Sequence, residues 1–250
     1  MFTSNILLLP LLSSLFTGFG GNFMGRKGSV LISIICMLIC CLDVGAVFYK
    51  TIFLNQQLQI PFILWIKSGL VFCNWGFLFD TLTVVMLVVV VSISTLVHIY
   101  SSSYMEHDPH LPRFMSYLSL FTFFMLILVT ADNFVQMFLG WEGVGFCSYL
   151  LINFWYTRLQ ANKAAIKAML VNRISDFALV LGLLTIFLNL KSIEYASVFA
   201  SVPLVLNCSF NFLIWNVNIV DISCLLLFIG AMGKSAQLFL HTWLPDAMEG

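Results

Sequence analysis

"LLLFIGAMGKSAQLFLHTWLPDAMEG", Leu225–Gly250, is an apolar helical run with a lysine, Lys234, set inside it. Which solvent surrounds that helix decides the fold. Of the 250 residues 61% are hydrophobic and only 9% are charged, whereas a soluble domain carries about 25% charged residues. So few polar groups cannot cover a water-facing surface. The bilayer is the solvent, and the chain reads as an all-α polytopic membrane protein with a lysine at membrane depth.

A spanning helix needs roughly 20 apolar residues. Seven runs qualify, at about 4–20, 28–49, 79–102, 112–131, 133–155, 162–190 and 219–242. The breaks between them are legible. "GFGGNFMGRKG" (18–28) is glycine-rich and basic, "EHDPHLPR" (106–113) carries two prolines that stop a helix, and "YTRLQANK" (156–163) is polar. Two connections are longer. Residues 50–78 hold short β-type runs, Pro61 to Trp65 and Leu70 to Trp75, and are expected to form a hairpin at the membrane surface. Residues 191–218 are mixed and asparagine-containing, and read as interfacial.

Basic residues favour the negative side of a membrane. Arg26, Lys27, Arg113, Arg158 and Lys163 follow the first, third and fifth helices, and Lys50, Lys67 and Lys191 follow the second, fourth and sixth. The N-terminus and the even connections are therefore expected on the positive side, with Gly250 near the negative face. The first apolar run has no basic flank or cleavage site and reads as a retained helix, and no Arg/Ser-rich transit peptide precedes it. Zero net charge gives no sign of nucleic acid binding. The seven cysteines form no CxxC and no cluster with metal-site spacing. Cys36, Cys40, Cys41, Cys147 and Cys224 read as small hydrophobes; a disulfide between Cys73 and Cys208 is left open.

Ionisable residues inside a membrane are costly, and they usually mark a pathway. Glu142, in "FLGWEGVGFCSYLL", lies mid-helix among Gly140, Gly143 and Gly145, which admit a second backbone at close range. It is either a structural carboxylate or a titrating one. Lys234 follows Gly230 and Gly233 and precedes Ser235, residues that weaken a helix and can open its hydrogen-bond ladder. The alternative, a snorkelling lysine, suits its depth poorly. In "NKAAIKAMLVNRISDF", Lys163 and Lys167 share a face near the negative side, and Arg173 and Asp176 are spaced to pair along the helix. His98 and His241 differ in depth, so they make no haem pair; His98 reads as a hydrogen-bonded residue toward its helix end with a proton relay open to it. Asp80 and Asp132 read as helix N-caps. No nucleophile elbow, phosphate loop or cofactor fingerprint appears. Glu142, Lys234 and Asp176 suit moving protons rather than forming covalent intermediates.

Three stretches carry a resemblance: "SYMEHDPHLPRFMSYLSLFTFFMLILVTADNFVQMFLGWEGVGFCSYLLINFW" (103–155), "ANKAAIKAMLVNRISDF" (161–177) and "GAMGKSAQLFLHTWLPDAMEG" (230–250). Through them the chain resembles the subunit 5 family of NADH:ubiquinone oxidoreductase, the respiratory complex I, in wording closest to plant-like or protist mitochondrial members. The first hundred residues resemble it more loosely. The resemblance implies an antiporter-like fold with two inverted five-helix repeats, each with a broken helix. Residues 1–111 would then hold three leading helices, and 112–250 the first repeat without its last helix. It implies that Glu142 is the glutamate of the repeat, Lys234 the lysine of the broken helix and Asp176 the aspartate between them, with Arg173, Lys163, Lys167 and His241 supporting. It also implies a multi-pass protein of the mitochondrial inner membrane with no cofactor of its own, since NAD, FMN, iron–sulfur clusters and ubiquinone belong to other subunits. The other membrane-arm subunits and lipid would be its partners. The family continues past "DAMEG", so a split gene, an exon or a truncated record is expected, with a second polypeptide carrying the remainder in the split case. Two other readings stand beside this one: a cation/proton antiporter subunit, and a structural half-subunit without an active proton path.

Overall fold

The computed structural model describes residues 2–69, 71–206, 208–212 and 215–248; Leu70 and Gly250 lie outside them. The order is α1 (Phe2–Phe48), a π-helical turn (Tyr49–Phe53), β1 (Leu58–Ser68), β2 (Val71–Phe79), α2 (Thr81–Tyr104), α3 (Leu111–Val129), α4 (Phe134–Ile152), α5 (Leu159–Leu190), α6 (Tyr195–Val205), β3 (Ser209–Phe212), β4 (Trp215–Asn218), α7 (Ile219–Lys234) and α8 (Leu244–Ala247). Six helices among the described residues are long and apolar enough to cross a membrane, with α1 and the π-helical turn after it supplying two of them, Thr3–Gly21 and Phe23–Phe53. The expected break between these two is a single reversal at Gly25 (φ 69°), with helix on either side. The seventh run, expected to be broken around Lys234, is so: α7 has 16 residues and stops at Lys234, short of the run's end near 242. At 1.5 Å per residue it is about 24 Å long, against a hydrocarbon core of roughly 30 Å.

Two compact units divide the chain. One comprises residues 1–60, 77–131 and 139–151, and the other residues 61–76, 132–138 and 152–250. In the first, the leading span and α3 meet through small residues. A methyl group at Gly18 would come within 2.8 Å of Ser116 Oγ, and one at Gly21 equally close to Pro112. Hydroxyl and imidazole groups tie the three helices at the same interface. Ser119 Oγ lies 3.0 Å from Ser13 Oγ and 3.3 Å from His98 Nε2, while His98 Nδ1 donates to the Ser94 carbonyl at 2.7 Å. Such bonds hold membrane helices together where the hydrophobic effect between them is absent. His98 is fully buried within α2, six residues short of its end.

The hairpin expected over 50–78 is present as β1 and β2, turning at Gly69 with φ 56°. A capping box starts α2: Asp80 Oδ1 accepts from the Thr83 amide at 2.8 Å and Thr83 Oγ1 from the Asp80 amide at 2.9 Å. The cap expected of Asp132 belongs instead to Asn133, whose Oδ1 accepts from the Gln136 amide at 2.7 Å. Asp132 is held one residue outside, its carbonyl accepting from the Tyr195 amide at 3.3 Å. In the second unit Phe134, Ile193 and Val198 form a buried cluster joining α4, α6 and the end of α5. The connection 191–218 is thus more than an interfacial loop, since it holds α6 and the antiparallel β3–β4 hairpin, Ser209 opposite Asn218.

Candidate functional site

The second unit is organised by one stripe of α5. Ala161, Ala165, Ala168, Asn172, Ser175, Leu179 and Gly182 recur at three- and four-residue steps and are all buried. Their small side chains let α7 lie against them, running antiparallel. A methyl at Gly182 would meet Leu227 at 3.1 Å, one at Gly230 would meet Leu179 at 2.7 Å, and one at Gly233 would overlap Ser175 outright. Glycine at 233 is therefore a requirement of close approach. Asp176 and Lys234 each follow directly in sequence on the residues of this tightest contact. Asp176 is only 5% exposed; Lys234 is half-buried. Arg173, the expected partner of Asp176, is exposed. Arg173, Asp176 and Lys234 all make polar or electrostatic contacts in the structure.

The way α7 ends explains how a lysine is tolerated there. The Gln237 amide donates to the Met232 carbonyl at 3.0 Å and the Ala236 amide to the Gly233 carbonyl at 3.2 Å. With Ala236 left-handed at φ 49°, this is a Schellman closure that satisfies the last carbonyls of the helix. Trp243 Nε1 donates to the Gly233 carbonyl as well, at 3.1 Å. Lys234 is the last helical residue, where the negative end of the helix dipole favours a cation by about 0.3–1 kcal/mol. Sequence reasoning found the break but placed it mid-helix, because the signal at 236 is an alanine rather than a glycine.

The remaining expected residues are spread out. Lys163 is exposed. Lys167 forms an ion pair with Asp246 at 2.6 Å, half-exposed on both sides, so it stabilises by no more than about 1 kcal/mol. His241 is exposed in the turn after α7, its carbonyl accepting from the Leu244 amide at 3.2 Å. Glu142 lies in the other unit and is half-buried. Its neighbours do bring a backbone close, as expected: a methyl at Gly140 would stand 2.7 Å from the Leu128 backbone nitrogen, and one at Gly143 would overlap the Phe124 ring.

Sequence reasoning missed a polar latch at the start of α4. Asn133 Nδ2 donates to the Asn74 carbonyl at 2.7 Å, the Cys73 thiol to Asn133 Oδ1 at 3.5 Å, the Gly76 amide to Gln136 Oε1 at 3.2 Å, and Asn74 Nδ2 to Glu194 Oε1 at 3.3 Å. Its signal was an asparagine three residues before a glutamine, a capping pattern overlooked beside Asp132. Burial, and then the charge of Glu194, push the Cys73 thiol above its ordinary pKa. Cys73 and Cys208 are both free, so the disulfide left open is not formed. Among the described residues no group of three His, Cys, Asp or Glu is gathered as a metal would require.

Comparison with known proteins first gives a class. Residues 131–250 match the family model described as NADH:quinone oxidoreductase/Mrp antiporter, transmembrane, and residues 65–115 the model for the complex I chain 5 N-terminus. The fold agrees: a chain in the structure of the membrane-bound sulfane sulfur reductase, an archaeal respiratory membrane complex, superposes with a TM-score of 0.78 at 16% identity, over 98% of this chain and 47% of that one. Over these residues the chain is similar to the antiporter-like membrane family, and it has that fold. Within that class it is similar along its length to the N-terminal part of NADH-ubiquinone oxidoreductase chain 5. It is 62% identical to that of Phytophthora infestans, over 100% of this chain and 38% of the relative. It is 58% identical to that of Chondrus crispus (98% and 37%) and 54% to that of Arabidopsis thaliana (98% and 36%). The chain spans well under half the length of these relatives.

Proposed function

We propose that this chain is part of a proton-translocating membrane-arm subunit of NADH:ubiquinone oxidoreductase, moving protons while other subunits carry the electrons. The observation that carries the reading is Lys234 ending a helix too short to cross the hydrocarbon core, with Lys234 and the buried Asp176 each next in sequence to the Gly233–Ser175 contact, in a chain 62% identical to a complex I chain 5. A charged side chain held there is costly unless it is used. Glu142 is the second titrating group in this reading, and Arg173, Lys163, Lys167 and His241 are supporting residues. The chain needs no cofactor for this role. Its setting is the mitochondrial inner membrane, with the N-terminus toward the intermembrane space. Its partners are the other membrane-arm subunits, lipid, and whichever polypeptide carries the sequence found beyond residue 250 in the relatives.

The test is Lys234→Met in the assembled complex. Proton pumping should fall at least several-fold while electron transfer from NADH to an artificial acceptor is kept. Pumping at the wild-type ratio would overturn the proposal. Glu142→Gln should behave like the lysine variant, and Glu142→Asp, which retains the charge, should be milder.

A further inference from the structure

We infer that Asn172 holds a water molecule on the proton route to Lys234, past the end of α7. The inference rests on the proton-carrying role proposed for Lys234 and adds a positioning residue and a direction to it.

From Gly182 to Ser175 the stripe on α5 is covered by α7, whose contacts run antiparallel from Leu227 to Gly233. The next position on the stripe is Asn172, and α7 ends at Lys234, so Asn172 is the first stripe residue past the end of that helix. There the chain passes into the turn 235–243, with left-handed residues at Ala236 and Phe239. Beyond it the Lys167–Asp246 ion pair joins α5 to α8 at the half-exposed end.

Asn172 is 7% exposed, and its Oδ1 has no hydrogen-bond partner among the described residues. A buried amide oxygen left that way costs about 1–3 kcal/mol. The other stripe positions on this side are alanines, and another apolar residue at 172 would avoid the cost. A buried water typically makes two to four hydrogen bonds to such groups. Asn172 Oδ1 supplies one acceptor. Ser175 Oγ, which donates to the Asn172 carbonyl at 2.6 Å, keeps lone pairs for another. Lys234, which ends α7 and follows the Gly233 that abuts Ser175, supplies the nitrogen. The transfer is balanced: an O–H bond of the water breaks as an N–H bond forms on the neutral Lys234 amine. The water regains a proton from the Lys167–Asp246 end, which faces the negative side, and no electron moves.

The test uses the intact complex in its membrane, with protons moved per NADH oxidised as the readout. Asn172→Leu keeps the volume and removes both polar atoms; Asn172→Ser keeps an oxygen. The leucine variant should lose at least threefold in the ratio with electron transfer to an artificial acceptor unchanged, and the serine variant should recover most of it. A high-resolution map of the wild type should show a water within hydrogen-bond distance of Asn172 Oδ1. Wild-type pumping by the leucine variant, or a protein group in place of that water, would overturn the inference. If the leucine variant fails to assemble, the wild-type map and the serine variant decide. Normal pumping by Lys234→Met defeats the underlying proposal; a dead Lys234→Met beside a normal Asn172→Leu defeats only this one.

Discussion

A methyl group at position 233 has no space, because Ser175 already fills it. Gly233→Ala is therefore expected to push α7 off α5 at a cost of about 1–3 kcal/mol, seen as less assembled complex and a lower melting temperature. Ser175→Gly in the same chain should restore both, and no rescue would show that the two residues do not share the space. Ala236 gives the opposite case. It is left-handed at φ 49°, a conformation that costs a residue with a Cβ about 1–2 kcal/mol. Ala236→Gly should raise the melting temperature with the Schellman closure intact. Residues of this kind are hard to read from sequence. Gly230 and Gly233 stand out as helix weakeners, but that Gly233 answers Ser175, far earlier in the chain, emerges only from the antiparallel crossing. Glu142, Lys234 and Asp176 were legible because a charge in an apolar run needs no partner to be conspicuous. Asn172 was not, since an asparagine in a helix usually faces water.

The hairpin and the start of α4 behave as one element through Asn133, which caps the helix and grips Asn74 and Cys73. Asn133→Ala should cost about 0.5–2 kcal/mol for the cap together with the hairpin bond, and expose β1–β2 to limited proteolysis while α5 stays protected. Protection unchanged from wild type would show the latch to be incidental. The raised pKa of Cys73 supports the same arrangement from another side. With the folded pKa above the unfolded one, the neutral thiol favours the fold below the unfolded pKa, about 8.5, and this contribution is lost as pH rises through the higher folded value. A water-soluble alkylating reagent near pH 8 should modify exposed Cys208 and spare Cys73 until denaturant is added; equal labelling would contradict the latch. At this scale the sequence placed the helices to within a few residues, since bilayer thickness sets their length. It did less well where polar side chains decide, as at Asn133 and along 195–218, because short interfacial elements carry no long apolar period.

Across the whole molecule, composition alone determined the solvent and hence the helical class, and the resemblance pointed to the antiporter-like fold that the comparisons bear out. The broken helix expected around Lys234 is present: the apolar run 219–242 is cut by its own backbone at Ser235. That cut has a consequence for how the protein is made. A segment of 16 helical residues ending in an ammonium group sits below the length at which a helix partitions into a bilayer unaided, about 17–25 residues. The 32-residue α5 precedes it on the ribosome and is already long enough to stay in the membrane. Biogenesis should therefore be sequential, with α7 retained by the insertion machinery only as it docks on the glycine-matched face of α5. In a glycosylation-mapping assay, α7 alone should slip through to the lumen, α5 with α7 should integrate, and bulky substitutions at Gly230 or Gly233 should return the pair to slipping.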